Sequence, residues 1–446
     1  MSGNDGLDRR SFIKKSTAGL IGGGFFGRLG FSHHQNANNE DYPRIKEYRT
    51  LGRTGFKVSD LATGDFDDPG PFRGLLDAGV NYIDTSETYG QHGTKIGEAI
   101  KGRDRGSLFI TSKLQADTSI RRIGKEGASK EGFIRRAHRV MDALQTDYLD
   151  CLMISCPETV DMLKCEGFHA ANEQLKKEGK IRFVGVSHHG SQWMLQEPKV
   201  PMEEILLAAA EDGRFDVMLL AYNFLKEDMS ERVLEVCGKK NIGTTLMKTN
   251  PIRSYNHLKH WLERARSSKG KELTEHDREN LTRMEKKVEN AQAFIQKYNL
   301  KSEREISDAA IRFCLSNPNV HTVCVTVLNY DEMRNFLGLS GTRLEPRDKA
   351  LLSAYKKNCG SLYCRHACGL CESACPHGVP INTIMRYDHY FVAQGREKHA
   401  MAQYAALEPE KAEKCENCEG CCESACPYGV PVRALLSTAH KTLTLG

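Results

Sequence analysis

Three absences narrow this 446-residue sequence before any motif is read. No run of 18 consecutive apolar residues occurs, so no ordinary transmembrane helix is expected. Charge of one sign is not in excess: 63 Lys and Arg stand against 58 Asp and Glu, a formal net charge of +5. That balance lacks the concentrated basic surplus of a dedicated nucleic-acid binder. Cysteine is missing from the first 150 residues altogether, although the chain holds 16, and ten of these crowd between Cys359 and Cys426. A disulfide framework suits a short secreted chain better than one end of a long one, so the crowding points to metal. What is present in bulk is ordinary. Hydrophobic residues at 39% and charged residues at 27% supply a sizeable core and exclude a disordered chain.

From residue 48 the sequence alternates short β-rich runs with helix-length segments. Strands are expected over Leu61–Gly64, Val80–Thr85, Leu108–Leu114, Asp150–Ser155, Ile181–Ser187, Phe215–Asn223, Ile242–Lys248 and His321–Val327. Several carry apolar residues on both parities, as a parallel strand buried on two faces does. Eight such strands separated by helices predict an α/β fold, a (β/α)8 TIM barrel. An open doubly wound sheet is the alternative, but no G-x-G-x-x-G turn follows the first strand. The connection from Ser254 to Glu305 is long and strongly charged, and reads as a solvated helical insertion. It follows a strand, so it lies on the face where barrels place catalysis and is a candidate lid.

Three spaced motifs carry a family resemblance. They are Leu51-Gly52-Arg53-Thr54-Gly55-Phe56-Lys57-Val58-Ser59, then Gly79-Val80-Asn81-Tyr82-Ile83-Asp84-Thr85 with Tyr89-Gly90, then Gly179-Lys180-Ile181-Arg182-Phe183-Val184-Gly185-Val186-Ser187. In this order they resemble the opening hairpin, second strand and fifth strand of the aldo-keto reductases, over residues 48 to about 350. The resemblance implies carbonyl reduction with NADP(H) as a possible cofactor, and places Asp84, Tyr89 and Lys113 at three of four catalytic positions. The chemistry of that set is clear: a Lys ammonium stabilises a phenolate, an Asp holds the Lys, and the tyrosine donates a proton to a carbonyl oxygen. The fourth position, a histidine in the family, is Ser155 here. Of the residues that hold the nicotinamide, Ser187 remains, His188 replaces an Asn and Leu219 a Gln; Tyr222 is a further cofactor-binding candidate, and His189 stands beside the site. Serine donates a hydrogen bond but does not carry a proton at neutral pH. These departures predict weak or absent NADPH-dependent carbonyl reduction.

The cysteine-rich end is a duplication. Residues 371–380 read Cys-Glu-Ser-Ala-Cys-Pro-His-Gly-Val-Pro, and nine of the ten recur at 422–431. Two sets emerge: Cys364, Cys368, Cys371 and Cys375, then Cys415, Cys418, Cys421 or Cys422, and Cys426, with Cys359 a spare. Closely spaced thiolates ending in Cys-Pro follow the ferredoxin pattern for 4Fe–4S clusters, in which the last cysteine commonly reaches the other cluster. Zinc is the rival, but its ligands usually come as two separated pairs. Between the sets, Ile381 to Lys414 reads as helices, which resembles a helical two-cluster ferredoxin module; a branch of the aldo-keto reductases carries such a module.

At the other end, Asp8-Arg9-Arg10-Ser11-Phe12-Ile13-Lys14 precedes a glycine-rich apolar run from Ser16 to Gly27. This resembles a twin-arginine export signal, and export implies a periplasmic or extracytoplasmic protein; the alternative is a flexible basic tail on a cytoplasmic one. The expected organisation is therefore a signal and linker over 1–40, a barrel over 45–350 and a mostly helical ferredoxin-like iron–sulfur domain over 355–446. The expected function is an oxidoreductase that couples a barrel redox site to two 4Fe–4S clusters, a small-molecule substrate and a one-electron partner. The alternative is an electron-transfer protein whose barrel is a non-catalytic scaffold.

Overall fold

A computed structural model describes residues 42–444 except 65, 67, 116–126, 190–199, 252–274, 299–303, 395 and 408–410. The expected export signal lies outside the described residues. Ten strands are described. β1 (Tyr48–Thr50) and β2 (Lys57–Ser59) form an antiparallel hairpin with Arg49 opposite Val58. The other eight are β3 (Leu61–Thr63), β4 (Tyr82–Asp84), β5 (Phe109–Gln115), β6 (Leu149–Ser155), β7 (Ile181–His188), β8 (Val217–Ala221), β9 (Gly243–Met247) and β10 (Thr322–Val325). All pair in parallel and β10 returns to β3, so the sheet closes into a barrel. Each of the eight expected strands is found, most of them trimmed or shifted by a residue or more at their ends.

The barrel follows from the double-sided burial of its strands. Every residue of β5 and of β6 is buried. One side of the sheet packs inward around Tyr82, Phe109, Met153, Val217 and Leu219. The other packs against the helices α1 (Pro69–Asp77), α2 (His92–Ile100), α3 (Lys130–Leu144), α4 (Glu166–Lys177), α5 (Met202–Asp212) and α6 (Glu227–Lys239). The β1–β2 hairpin plugs the N-terminal end. Its Gly52 sits at φ +47° so close to the backbone of Gly243 that a Cβ would lie 2.3 Å from that nitrogen. No side chain fits there, which is the physical reason for the glycine in the opening motif.

Past β9 the composition misleads. The described helix of the insertion, α7 (Glu275–Lys297), is not simply solvated. Met284, Val288, Ala291 and Phe294 form a helical-period stripe that is buried. They share a core with Phe224, Ile306, Leu352 and Tyr363, from α8 (Arg304–Ser316), α10 (Pro346–Cys359) and the segment around them. The charged residues cover the outer face and several tie down the cysteine-rich end: Arg283 to Glu423, and Lys287 to Ser361 at 2.8 Å. No described residue of α7 lines the barrel cavity, so this helix serves as a strut, while Arg304 near the end of the expected lid does line it and residues 254–274 and 299–303 lie outside the described residues. Helix α9 (Tyr330–Leu337) follows β10, and α10 runs through the expected domain boundary.

The C-terminal region is helical: α11 (Ile381–Gln394), α12 (Glu397–Ala405) and α13 (Val432–Thr444), with single turns at the cysteines. It has its own core, in which Val379, Ile384, Tyr387, Tyr404 and Leu436 surround Cys371, Cys415 and Cys422. The sequence duplication is a structural one. Glu372 Oε1 accepts the backbone N–H of Asn382 at 2.8 Å, and Glu423 Oε1 that of Arg433 at 2.9 Å, so each copy caps the first turn of its following helix. Gly378 and Gly429 take the same left-handed φ, 63° and 61°, and turn the chain after Cys-Pro.

Candidate active site

Asp84 ends β4 and Thr111 of β5 is its register partner, which brings Lys113 to the same rim two residues later. Lys113 Nζ donates to Asp84 Oδ2, and Thr111 Oγ1 donates to Oδ1 at 3.0 Å. Both charges are buried, so the pair holds because each partner compensates the other. The loop after β4 turns back through Glu87 N–H to Lys113 O at 3.2 Å and Tyr89 N–H to Ser86 O at 3.1 Å. This sets Tyr89 with the Lys113 ammonium 5.1 Å from its ring centre. His92 opens α2 with its ring 5.7 Å from that of Tyr89. Burial pushes the His92 pKa down to about 4, so it is neutral at neutral pH.

A cavity of about 420 Å³ opens at this rim. Asp84, Tyr89, His189 and Lys248 form part of its wall, and the cysteine-rich region supplies another part: Arg386 and Tyr390 from α11, and Arg396 and His399 from the start of α12. The Arg396 guanidinium lies 5.6 Å from the Tyr89 ring centre and 5.9 Å from that of Tyr390. Lys248 approaches Tyr390 from another side at 4.4 Å. The helices between the two cysteine sets thus close over the barrel mouth.

Asp84, Tyr89 and Lys113 come together as the resemblance implies. Ser155, Ser187, His188 and Tyr222 do not line the cavity. Ser155 is buried at the end of β6, next to Cys156, whose backbone is left-handed at φ +46°. Ser187 Oγ is buried without a hydrogen-bond partner. His188 Nε2 is 3.1 Å from the Pro157 carbonyl oxygen, and burial lowers its pKa to about 3. The Tyr222 hydroxyl donates to Glu231 Oε2 at 2.8 Å, on α6. Leu219 belongs to the barrel interior. The adjacent His189 does reach the cavity, its Nδ1 buried and without a partner. Arg386, Tyr390, Arg396 and His399 were not legible as site residues. Their only sequence signal is the run Arg386-Tyr387-Asp388-His389-Tyr390, dense in cations and rings inside an otherwise apolar helix.

The cysteines gather in a crossed arrangement. Cys364, Cys368 and Cys371 of the first set lie within electrostatic reach of Cys426 from the second, around one small cavity. Cys415, Cys418 and Cys422 of the second set are gathered with Cys375 from the first. Cys422 is buried and Cys421 exposed, so Cys422 is the member of the group. Cys359 sits apart, in the core shared with α7. Burial and neighbouring thiols push Cys371, Cys415 and Cys422 up to about 12. Among the described residues no three His, Cys, Asp or Glu side chains converge tightly enough to hold a single metal ion.

A closed parallel barrel with a buried Asp–Lys pair beside a tyrosine at its C-terminal rim defines a barrel of the oxidoreductase type. More particularly, residues 72–355 match the aldo/keto reductase family, and the chain belongs to it. It is 32% identical over 162 residues to an L-galactose dehydrogenase of Arabidopsis thaliana, covering 32% of this chain and 48% of that protein. It is 32% identical over 115 residues to a methylglyoxal reductase of Escherichia coli O157:H7, covering 25% and 39%. The chain spans about half the length of the curated relatives it matches. Among solved structures, an aldo-keto reductase of Bacillus halodurans in its holo form aligns at 21% identity with a TM-score of 0.48, over 69% of this chain and 95% of that one.

Proposed function

We propose that this chain is an iron–sulfur oxidoreductase of the aldo/keto reductase type, in which the barrel cavity acts on a small carbonyl or alcohol and two 4Fe–4S clusters connect it to a one-electron partner. One observation carries the reading: the helical segment between the two cysteine sets forms a wall of the same cavity as Asp84 and Tyr89. A cluster module placed elsewhere on the barrel would have no such link.

The two crossed groups fit the clusters. Each holds four cysteines, three from one copy of the repeat and one from the Cys-Pro of the other, as in two-cluster ferredoxins. Zinc is the rival occupant, but its ligands usually come as two separated pairs and not as fours ending in Cys-Pro. Bound clusters would supply single electrons, and reduction of a carbonyl to an alcohol consumes two electrons and two protons. In that reaction Tyr89 gives one proton from its phenolic oxygen to the substrate oxygen. Lys113 and Arg396 flank the ring and favour the phenolate that results. Asp84 fixes Lys113 in place. Solvent supplies the second proton.

Family membership suggests NADP(H), but the residues expected to bind it do not fit the cavity: Ser187, His188 and Tyr222 do not line it. No step is therefore assigned to it, and turnover driven by NADPH alone is expected to be weak. The same observation favours a second reading, an electron-transfer protein with a non-catalytic barrel. The proposal also includes export through the twin-arginine route, on the Arg9-Arg10 motif.

Anaerobically purified protein is expected to be brown, with about eight iron and eight sulfide per chain. Reduction of carbonyls by a reduced one-electron dye is expected, lost in Tyr89→Phe. Stoichiometric zinc without sulfide sinks the cluster assignment. Reducible clusters with no turnover of any carbonyl favour the electron-transfer reading.

A further inference from the structure

We propose that the cavity selects substrates carrying an anionic group, a carboxylate or a phosphate, which Arg396 and Arg386 hold in the same cavity as Tyr89. This rests on the redox reading above and names its substrate class.

The first argument is charge. The acids on the cavity wall are engaged locally: Asp84 with Lys113, Asp308 with Arg304 at 3.7 Å, and Glu332 with the Leu328 N–H at 3.0 Å. Against them stand Lys248, Arg304, Arg386 and Arg396 on the same wall, while Lys113 offsets Asp84 from behind. Among the described lining residues the formal balance is positive. The Arg386 charge is felt across the mouth: it works against protonation of His188, His189 and His366. Arg396 does the same to His92.

The second argument is burial. Arg386 is 1% exposed. Here two arginines sit on helices that close a reaction cavity, one of them beside the proton-donating ring. A guanidinium meets a carboxylate or a phosphate with two parallel N–H donors, which fixes the orientation of the bound molecule as well as its position. The third argument is independent of charge. His189 lines the cavity, and its Nδ1 is buried without a hydrogen-bond partner. Its imidazole is held neutral by burial, so it offers a hydrogen bond to a substrate oxygen. Tyr89 at the reacting oxygen, an arginine at the anion and His189 between them would give three-point recognition of a small oxo or hydroxy acid, or of its phosphate counterpart.

The test uses the cluster-loaded full chain. Dye-linked reduction is measured for glyoxylate, for glycolaldehyde phosphate and for neutral glycolaldehyde, and calorimetry measures binding of oxalate and of inorganic phosphate. The anionic carbonyls are expected to be preferred. Arg396→Gln should raise KM for the preferred anion and weaken the matching probe by about ten- to a hundredfold. Its loss on the anionic carbonyl should exceed its loss on glycolaldehyde at least about tenfold, and Arg396→Lys should recover part of the difference. Iron content read on each variant, with Arg386→Gln as a second variant, separates a lost contact from a lost fold. The probe that binds, oxalate or phosphate, identifies the anion. Equal use of glycolaldehyde and glyoxylate, or an Arg396→Gln enzyme unchanged toward every anion at full iron content, overturns the proposal. Tight oxalate binding without turnover of any carbonyl leaves the clamp standing and overturns the redox reading. Turnover of the neutral aldehyde alone does the reverse.

Discussion

Single side chains around the barrel mouth are governed by desolvation. His92 and His188 are buried, and His321 is half-buried at the other end of the barrel, just before β10; desolvation holds their pKa values at about 4, about 3 and about 4. In an unfolded chain they would take up protons near the ordinary histidine value of roughly 6.5. Below that pH, down to the folded values, the unfolded chain binds protons that the folded chain refuses. Stability therefore falls as pH falls through this window and is fully present above it. Each histidine contributes at most about 1.4 kcal/mol per pH unit. Urea midpoints are expected to drop between about pH 7 and about pH 5, and His188→Gln should flatten the drop. A midpoint that does not move over this range would show that these histidines are not held neutral. The same desolvation explains why Asp84 and Lys113 occur together, since removing either partner leaves a bare buried charge.

Among elements, the cysteine repeat is the informative one. Each Cys-Glu-Ser-Ala-Cys-Pro copy uses its glutamate to cap the next helix and a left-handed glycine to turn the chain, which aims its last cysteine at the other copy. Spacing alone left Cys421 and Cys422 equivalent. The helical turn Cys421–Ser424 separates them, because adjacent residues on a helix point about 100° apart. One is buried among thiols and the other faces solvent. Cys422→Ser is expected to lose about half the iron and sulfide of the loaded protein, while Cys421→Ser keeps all of it. Cys426→Ser and Cys364→Ser should damage the same cluster and leave the same residual spectrum, despite lying in different copies of the repeat. Retention of both clusters in Cys422→Ser would overturn the crossed assignment.

At the scale of the whole molecule, two of the contacts between the cysteine-rich region and the barrel are extensive. One is a core built from α7, α8, α10 and the loop after β8. The other is the roof that α11 and α12 place over the cavity. Clusters inserted before this assembly would be buried in a folded unit, which accords with a route that carries folded proteins. Replacing Arg9 and Arg10 with Lys is expected to leave cluster-loaded protein in the cytoplasm, read by fractionation and immunoblot. If the unaltered protein stays wholly in the cytoplasm with residues 1–40 retained, the export proposal fails.

The sequence by itself determined the barrel. Strands buried on two faces read as apolar on both parities, and the hairpin, second-strand and fifth-strand motifs carry local geometry, such as the glycine at 52, that no other residue satisfies. The family resemblance supplied Asp84 and Lys113 as partners, and the repeat with its spacing supplied the two cysteine sets. The Cys-Pro pattern anticipated the crossing between copies, and only the tertiary structure decided that Cys422 and not Cys421 joins its group, because that depends on which face of a helical turn is buried. It decided that α7 is a strut, since a buried stripe of four residues is hidden in a helix whose composition is mostly charged. And it decided that Ser187, His188 and Tyr222 stay off the cavity while Arg386 and Arg396 stand on it. Those arginines lie some 300 residues from Tyr89 in the chain, and no local pattern reports a contact made by folding one end of a protein over the other.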